Sequence, residues 1–441
     1  MKEYRIATEI FEIVGRDKTL IYAPLLGLAC SSTSKLINTL CDIKDNESTI
    51  PGKNKQVEQL LSMGFIEEKQ SKAELQKKTY QSFTAPFLPC EVTLFMTANC
   101  NLACKYCYGN GGDCKNIIDH DVAFSTIDLL FDNAKRTQTK EVRVSFHGGG
   151  EPTLEFKQIQ ACVNYTKDLS KSTSIKSEFG LTSNGVIQPS SLTWIIENID
   201  HINISFDGPE DIQNHQRPTL DGRGSFKAVT QTLKALDSAE KQYCIRGTIT
   251  QFCEDRIPEI AEYIVNNHTA NTLQLEPMFG VGRALTSKMV PPNPENFIHG
   301  YLEAEKICKK REVKLKFSGH RFPHTSNAFC GIGRKNFAVT PEGLVTSCFE
   351  VLEEVDERSE VFFFGKYHEG SFLFDEKKIR TLREFSETTP QFCKNCFAQF
   401  HCTGDCRGKG LFLATMENYQ GGGRCHIVQG LIKAKLLNYF T

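Results

Sequence analysis

Cys100, Cys104 and Cys107 stand in the stretch CNLACKYCYG, residues 100–109, with Tyr106 just before the third thiol. Each iron of a four-iron cluster takes one external ligand, so three thiolates hold three irons and leave the fourth open to something that is not protein. A fourth cysteine would close the site. Three ligands plus water also suit a catalytic zinc ion. Seven more cysteines crowd the last quarter of the chain: Cys330, Cys348, then Cys393, Cys396, Cys402 and Cys406 in CKNCFAQFHCTGDC, and finally Cys425. Their spacing is C-x12-G-x4-C, then C-x2-C-x5-C-x3-C, then a last cysteine after 18 residues. That pattern points to metal ligation, with a zinc ribbon as the plainer alternative. Cys30, Cys41, Cys90, Cys114, Cys162, Cys244, Cys253 and Cys308 fall outside both patterns and are expected as buried small hydrophobes.

Thiols placed for chemistry need rigid elements behind them. From Glu91 onward, apolar strand-like runs alternate with longer amphipathic stretches: 91–97, 141–147, 177–183, 201–207, 244–250 and 272–277 read as strands, and 122–135, 156–169, 226–239 and 257–267 as helices. Six β-α units in sequence imply a parallel sheet, a partial barrel in an α/β fold. The first three cysteines directly follow its first strand, on the rim where the loops of parallel barrels carry chemistry. Further strand ends on that rim carry HGGGEPTL (147–154), TSNG (182–185) and ISFDGPEDIQNHQRPTLDGRGSF (204–226). Taken singly, the glycine triplet is a tight turn and Arg217 a surface cation; what singles them out is that they share one rim. After about residue 285 the alternation is expected to stop, leaving a cysteine-rich region with one helix at its end, from 426. Ahead of the barrel, strand-like runs at 4–14 and 19–24, helical runs at 34–41 and 56–63, and the short FIEE suggest a winged-helix-like α+β unit over 1–85. A lysine-rich stretch and APFLP then read as a linker.

The 441 residues allow two or three domains at about 150 residues each. A net charge of −1 gives no overall attraction to nucleic acid or to an anionic membrane. No run reaches the roughly 18 apolar residues of a membrane span, and the first residues lack the apolar stretch of an export signal. A cytoplasmic address is the expectation, and a reducing cytosol makes disulfides a poor explanation for 18 cysteines.

The C-x3-C-x-aromatic-C stretch resembles the radical S-adenosylmethionine (SAM) enzymes, and the three rim segments match that family over about residues 90–285. The resemblance implies that Cys100, Cys104 and Cys107 hold a SAM-binding 4Fe-4S cluster. It implies that Gly149, Gly150, Glu151 and Pro152 take the amino group of the cofactor's methionine end. Asn184, in the segment that closes the third strand, would also contact the cofactor, Ser205 and Arg217 would face ribose or carboxylate, and Tyr106 would pack near the adenine. Chemistry of this kind needs a cofactor, because reductive cleavage of the sulfonium yields a 5′-deoxyadenosyl radical that takes hydrogen from unreactive C–H bonds.

The C-terminal pattern resembles the SPASM extension of radical enzymes that modify peptides and proteins. Carried over, Cys393, Cys396, Cys402 and Cys425 hold one auxiliary 4Fe-4S cluster, and Cys330, Cys348 and Cys406 the other, making three clusters in all. The domains implied are 1–85 for leader recognition, 86–320 for the radical SAM partial barrel, and 321–441 for SPASM. The partners implied are a ribosomally made peptide with a leader sequence and an electron donor such as flavodoxin or ferredoxin. In sulfatase maturases an acidic base follows the Gly-x4-Cys cysteine directly; here Phe349 intervenes and Glu350 is expected to face away. The reading is therefore a maturase that cross-links a ribosomal peptide, with a maturase of a sulfatase or quinohemoprotein as the alternative. A non-catalytic iron-sulfur carrier or sensor is the third, and the rim segments argue against it, since a carrier needs no cofactor-carboxylate site. Seven SPASM cysteines for eight ligand positions leave one position for His324, for an outlying thiol such as Cys308, or for the substrate; a substrate thiolate there would favour a thioether.

Overall fold

A computed structural model describes residues 2–31, 34–46, 49–50, 54–68, 83–109, 111–112, 115–334, 336–413 and 422–439. Six short strands open the chain: β1 (Lys2–Ile6), β2 (Phe11–Val14), β3 (Thr19–Ala23), β4 (Leu28–Ser31), β5 (Thr49–Ile50) and β6 (Ile66–Glu68). The run at 4–14 thus breaks into two strands belonging to different antiparallel sheets, β5-β1-β6 and β2-β3-β4. Helices Ser34–Asn46 and Lys55–Ser62 lie where the sequence placed them. Alternation along β3 divides its side chains between two cores. Ile21 and Ala23 pack with Tyr4, Leu36, Leu60 and Phe65, whereas Leu20 and Tyr22 join the large core of the rest of the molecule. The Tyr22 hydroxyl also meets His401 Nε2 at 2.5 Å, so this strand ties the first residues to the cysteine-rich region. Most of the linker expected before APFLP, 69–82, lies outside the described residues.

The six expected barrel strands are present: β7 (Glu91–Phe95), β8 (Glu141–His147), β9 (Lys176–Ser183), β10 (His201–Ser205), β11 (Tyr243–Ile249) and β12 (Thr272–Pro277). They pair in parallel and in chain order. Val142, Val144 and Phe146 of β8 show the period of two that builds the fold, each buried on the outer face while Arg143, Ser145 and His147 alternate with them. The alternation does not stop at 285. Helix Pro294–Lys310 and β13 (Lys314–Lys316), parallel to β12, add a seventh unit. A three-residue strand reading KLK offers no apolar run to detect. Helices Pro189–Asn198 and Glu210–Gln216 were also not foreseen.

Beyond β13 the chain returns to the other edge. β14 (Asn336–Val339) pairs in parallel with β7, and β15 (Leu344–Thr346), β16 (Phe363–His368) and β17 (Ser371–Phe374) follow antiparallel, completing an eleven-stranded sheet. The last helix, Gly422–Tyr439, begins early enough to carry Cys425 in its first turn. Among the cysteines outside the motifs, Cys162, Cys253 and Cys308 are buried as expected, Cys30, Cys90 and Cys244 are half-buried, and Cys41 is exposed. Cys114 lies outside the described residues. Among those residues, no helix is long and apolar enough to cross a membrane.

Candidate active site at the carboxyl ends of the strands

The loop after β7 is stitched to its neighbours by main-chain bonds. Ala103 N donates to Pro218 O at 2.8 Å, Lys105 N to Gln216 O at 2.9 Å, and Cys107 N to Cys104 O at 3.2 Å. On its other side Gly150 N donates to Thr97 O and Glu151 N to Asn99 O. Contact there is so close that a Cβ on Gly150 would lie 1.8 Å from the carbonyl oxygen of Asn99, beside Cys100. Backbone cannot yield to that. Gly150→Ala is expected to displace the cysteine loop and to cost the protein roughly a third of its iron, read by colorimetric iron assay; unchanged iron would show that the loop tolerates the shift.

Cys100, Cys104 and Cys107 line a cavity of about 320 Å³ with Tyr106, Gly149, Gly150, Glu151, Asn184, Ser205 and Arg217. Every expected cofactor residue except Pro152 is on its wall. Pro152 is buried behind it, opening the short turn Pro152–Glu155, so it shapes the loop without reaching the cavity. Burial pushes the Cys100 thiol up to about 11 and Cys104 to about 12, with the neighbouring Arg217 charge opposing. Such thiols ionise when a metal takes the proton's place. Among the described residues, no three His, Cys, Asp or Glu side chains group closely enough for one metal ion. A four-iron cluster takes one thiolate per iron and so spaces its ligands more widely than a single zinc ion does.

The Glu151 carboxylate accepts bonds from Thr153 N and Oγ1 and Ser183 Oγ on Oε1, and from Asn184 N on Oε2. Burial raises its pKa and these donors oppose. With about four lone-pair sites and three donors on one oxygen, its remaining capacity is on Oε2. Asn184 Nδ2 donates to Asn101 Oδ1 at 2.7 Å and reaches Cys100 Sγ at 3.7 Å. Arg217 Nη1 donates to the Tyr106 hydroxyl at 2.7 Å, which donates to Asp207 Oδ2 at 2.7 Å. Gln216 Nε2 and Thr248 N fix Asp207 further. Arg217 Nε is buried and has no partner. An always-charged donor left orphaned on a cavity wall suits a ligand carboxylate, so the residues present fit SAM.

The other seven cysteines fall in two groups in the described structure. Cys393, Cys396, Cys402 and Cys425 surround one small void. Cys348 has Cys406 and Cys330 as its charged neighbours, and a Cβ on Gly408 would lie 2.9 Å from Cys348 Sγ and 3.9 Å from Cys406 Sγ. Cys406 also lines the large cavity, so this second set borders the space that the first three cysteines occupy. Of the two outlying candidates for the eighth position, Cys308 is buried in the hydrophobic core on helix Pro294–Lys310 and His324 is exposed.

Glu350 corrects a sequence expectation. It does not face away: it lines the cavity, paired with Lys409, with Oε2 buried and without a partner. The intervening Phe349 turns to stack against His147, which lets the next residue reach the cavity. Sequence reasoning also missed Asp207, although it stands in the quoted DGP segment, and Lys409 and Arg424, which no motif marks. Arg424 is buried between Asp405 and Glu276.

Residues 94–263 match the model of the Radical SAM superfamily. The chain is similar to the cysteine-type anaerobic sulfatase-maturating enzyme of Clostridium novyi, 23% identical over 70% of this chain and 86% of that protein. It is similar to the radical SAM cyclopropyl synthase TigE of Paramaledivibacter caminithermalis, 24% identical over 78% of this chain and 73% of that one. An uncharacterized protein of Methanocaldococcus jannaschii is 28% identical, with 56% of its length spanned. Among solved structures, anSMEcpe with bound AdoMet aligns with a TM-score of 0.62, 18% identity and coverage of 80% and 95% of the two chains. Streptococcus suis SuiB bound to precursor peptide SuiA aligns with a TM-score of 0.56, 14% identity and coverage of 96% and 99%. Both likenesses establish the fold.

Proposed function

We propose, from the premise that residues 94–263 are a radical SAM domain and the chain an enzyme, that it is a maturase that modifies a ribosomally made peptide and cross-links it at a cysteine. The observation that carries this is the shared cavity: Cys406 and Glu350 from the cysteine-rich region face the same space as Cys100, Cys104 and Cys107. A peptide side chain held there lies between two sets of thiols. Bound at these sites, SAM and three 4Fe-4S clusters supply the radical that takes a hydrogen atom from the peptide and accept the electron released as the new bond forms.

The protein's own residues do the rest. Arg217 Nε takes the cofactor carboxylate, Glu151 Oε2 and the Gly149–150 backbone take its amino group, and Ser205 reaches the ribose. Asn184 Nδ2 donates toward the Cys100 sulfur. Glu350, with one free oxygen and Lys409 beside it, takes the proton of an incoming thiol. Residues 1–85 form a leader-recognition unit in which the β5-β1-β6 sheet accepts an extended peptide by strand addition. Residues 86–320 act as the radical SAM unit, residues 321–441 hold the auxiliary clusters, and flavodoxin or ferredoxin delivers electrons. Glu350 in the cavity also favours a second reading, maturation of a sulfatase-type protein, as in the C. novyi relative; there the same carboxylate would take a proton without any bond to the peptide sulfur.

Titrating anaerobic protein with a cysteine-containing peptide is expected to perturb the spectrum of one auxiliary cluster, while the Cys-to-Ser peptide leaves it unchanged. No perturbation by the cysteine peptide, or loss of that cluster in His324→Ala alone, would mean that the eighth position is closed and that the cross-link is not to sulfur.

A further inference from the structure

The charges on the cavity wall do not balance one another. Each of its three carboxylates already has a partner: Glu151 in Ser183, Thr153 and Asn184, Glu350 in Lys409 with Oε2 left over, and Glu276 in Ser318, Gln274 and Arg424. Of its four cations, Lys409 and Arg424 pair with those carboxylates or with Asp405, and Arg217 is tied to Tyr106. Arg246 is left over. It makes no side-chain hydrogen bond or ion pair among the described residues, yet it lines the cavity and is exposed within it.

Its position is fixed by the strand that carries it. On β11, Ile245, Gly247 and Ile249 are buried on the outer face, which turns Arg246 and Thr248 inward. Arg246 stands in register with Ser205 on one side and Gln274 on the other. Its charge reaches across the barrel: it is among the influences that lower the pKa of His147, at the end of β8, and it acts on Tyr108 as well. Tyr108 in turn has Cys107, Cys348 and Glu350 as charged neighbours, so this corner lies between the two sets of thiols. A planar, permanently charged fork facing a recess, with no internal acid bonded to it, matches a carboxylate from outside. The cofactor supplies no relief in this reading, because Arg217 takes its carboxylate and its sulfonium adds positive charge to the same space.

We infer that Arg246 anchors a carboxylate of the substrate, so that the peptide entering this cavity presents an Asp or Glu side chain, or a free C-terminus, next to the residue that reacts. The inference rests on the peptide-maturase reading for the nature of its ligand. It adds which peptides are taken.

The test is equilibrium binding of blocked pentapeptides Gly-Gly-X-Gly-Gly to the reconstituted full chain holding S-adenosylhomocysteine, with X as Asp, Glu, Asn, Gln or Lys. A second series carries a free or an amidated C-terminus. Peptides with a carboxylate are expected to bind roughly tenfold or more tightly than their amides, the margin typical of a charge-assisted bidentate contact, and the Lys peptide most weakly. Which series shows the gain identifies the source of the carboxylate. Arg246→Gln should erase the preference without changing the affinity of the Asn and Gln peptides, and Arg246→Lys should keep part of it. Equal binding of acids and amides to the wild type overturns the inference, as does a preference that survives Arg246→Gln. Weakened binding of S-adenosylhomocysteine by Arg246→Gln would assign the arginine to the cofactor instead. A carboxylate preference without any 5′-deoxyadenosine formation refutes the catalytic reading and leaves the anchor standing.

Discussion

Replacing Cys100, Cys104 and Cys107 together by Ala is expected to abolish 5′-deoxyadenosine formation and to leave roughly two thirds of the wild-type iron, because each of the three proposed clusters carries the same number of irons on its own ligands. The three thiols lie in one loop after β7, and the other seven lie beyond residue 325, in two sets that share no cysteine with the loop. The loop is held by main-chain bonds to Pro218, Gln216 and Gly150, all outside the cysteine-rich region, so replacing its thiols is expected to leave the auxiliary thiols in place. Iron assay and low-temperature EPR separate the outcomes. Retained 5′-deoxyadenosine formation would remove the basis for assigning the radical site to these thiols. Loss of all iron would mean that the sites assemble as one unit.

Arg217→Gln weakens SAM binding by roughly 30-fold or more, since losing one partner of a buried charge pair typically costs about 2–5 kcal/mol. Gln keeps much of the volume and one donor, so the loss reports the charge more than a cavity. Tyr106→Phe is the matched control. It removes the hydroxyl that Arg217 Nη1 and Asp207 share but leaves the guanidinium in the cavity, so the ligand loses only the positioning of that charge and a change of about fivefold, about 1 kcal/mol, is expected. Equilibrium binding of S-adenosylhomocysteine to both variants decides between them. Equal losses would show that Arg217 acts by holding Tyr106 and not by touching the ligand.

The barrel was legible because its strands are buried on the outer face and run into loops that carry glycine or cysteine, which gives both a period and a stop. The cysteine sets were legible from spacing alone. What the sequence hid lies in long-range pairing. β14 joins β7 across about 240 residues, and nothing local in its four residues marks that partner. Glu350 was misjudged because strand parity was applied to a segment that is not a strand: after Cys348 the chain turns, and Phe349 swings onto His147. Lys409 and Arg424 belong to no motif, and only folding places them on the cavity. The first 85 residues were read as separable, but Ile13, Leu20 and Tyr22 contribute to the large core. Cutting the chain at 85 would therefore expose that core. A leader-binding test is better served by substitutions on the β5-β1-β6 sheet, where Tyr4 and Ile66 pack in a core of their own.

The central claim is that the cavity between the two regions cleaves SAM reductively and passes hydrogen from a peptide to the cofactor. Mass spectrometry of 5′-deoxyadenosine tests it most directly, using anaerobically reconstituted protein, a chemical reductant, SAM and a substrate peptide deuterated at side-chain carbons. The account predicts reductant-dependent 5′-deoxyadenosine carrying deuterium from the peptide, with none formed by the Cys100, Cys104 and Cys107 triple variant. Reductant-independent product, or wild-type protein that forms none, would contradict it.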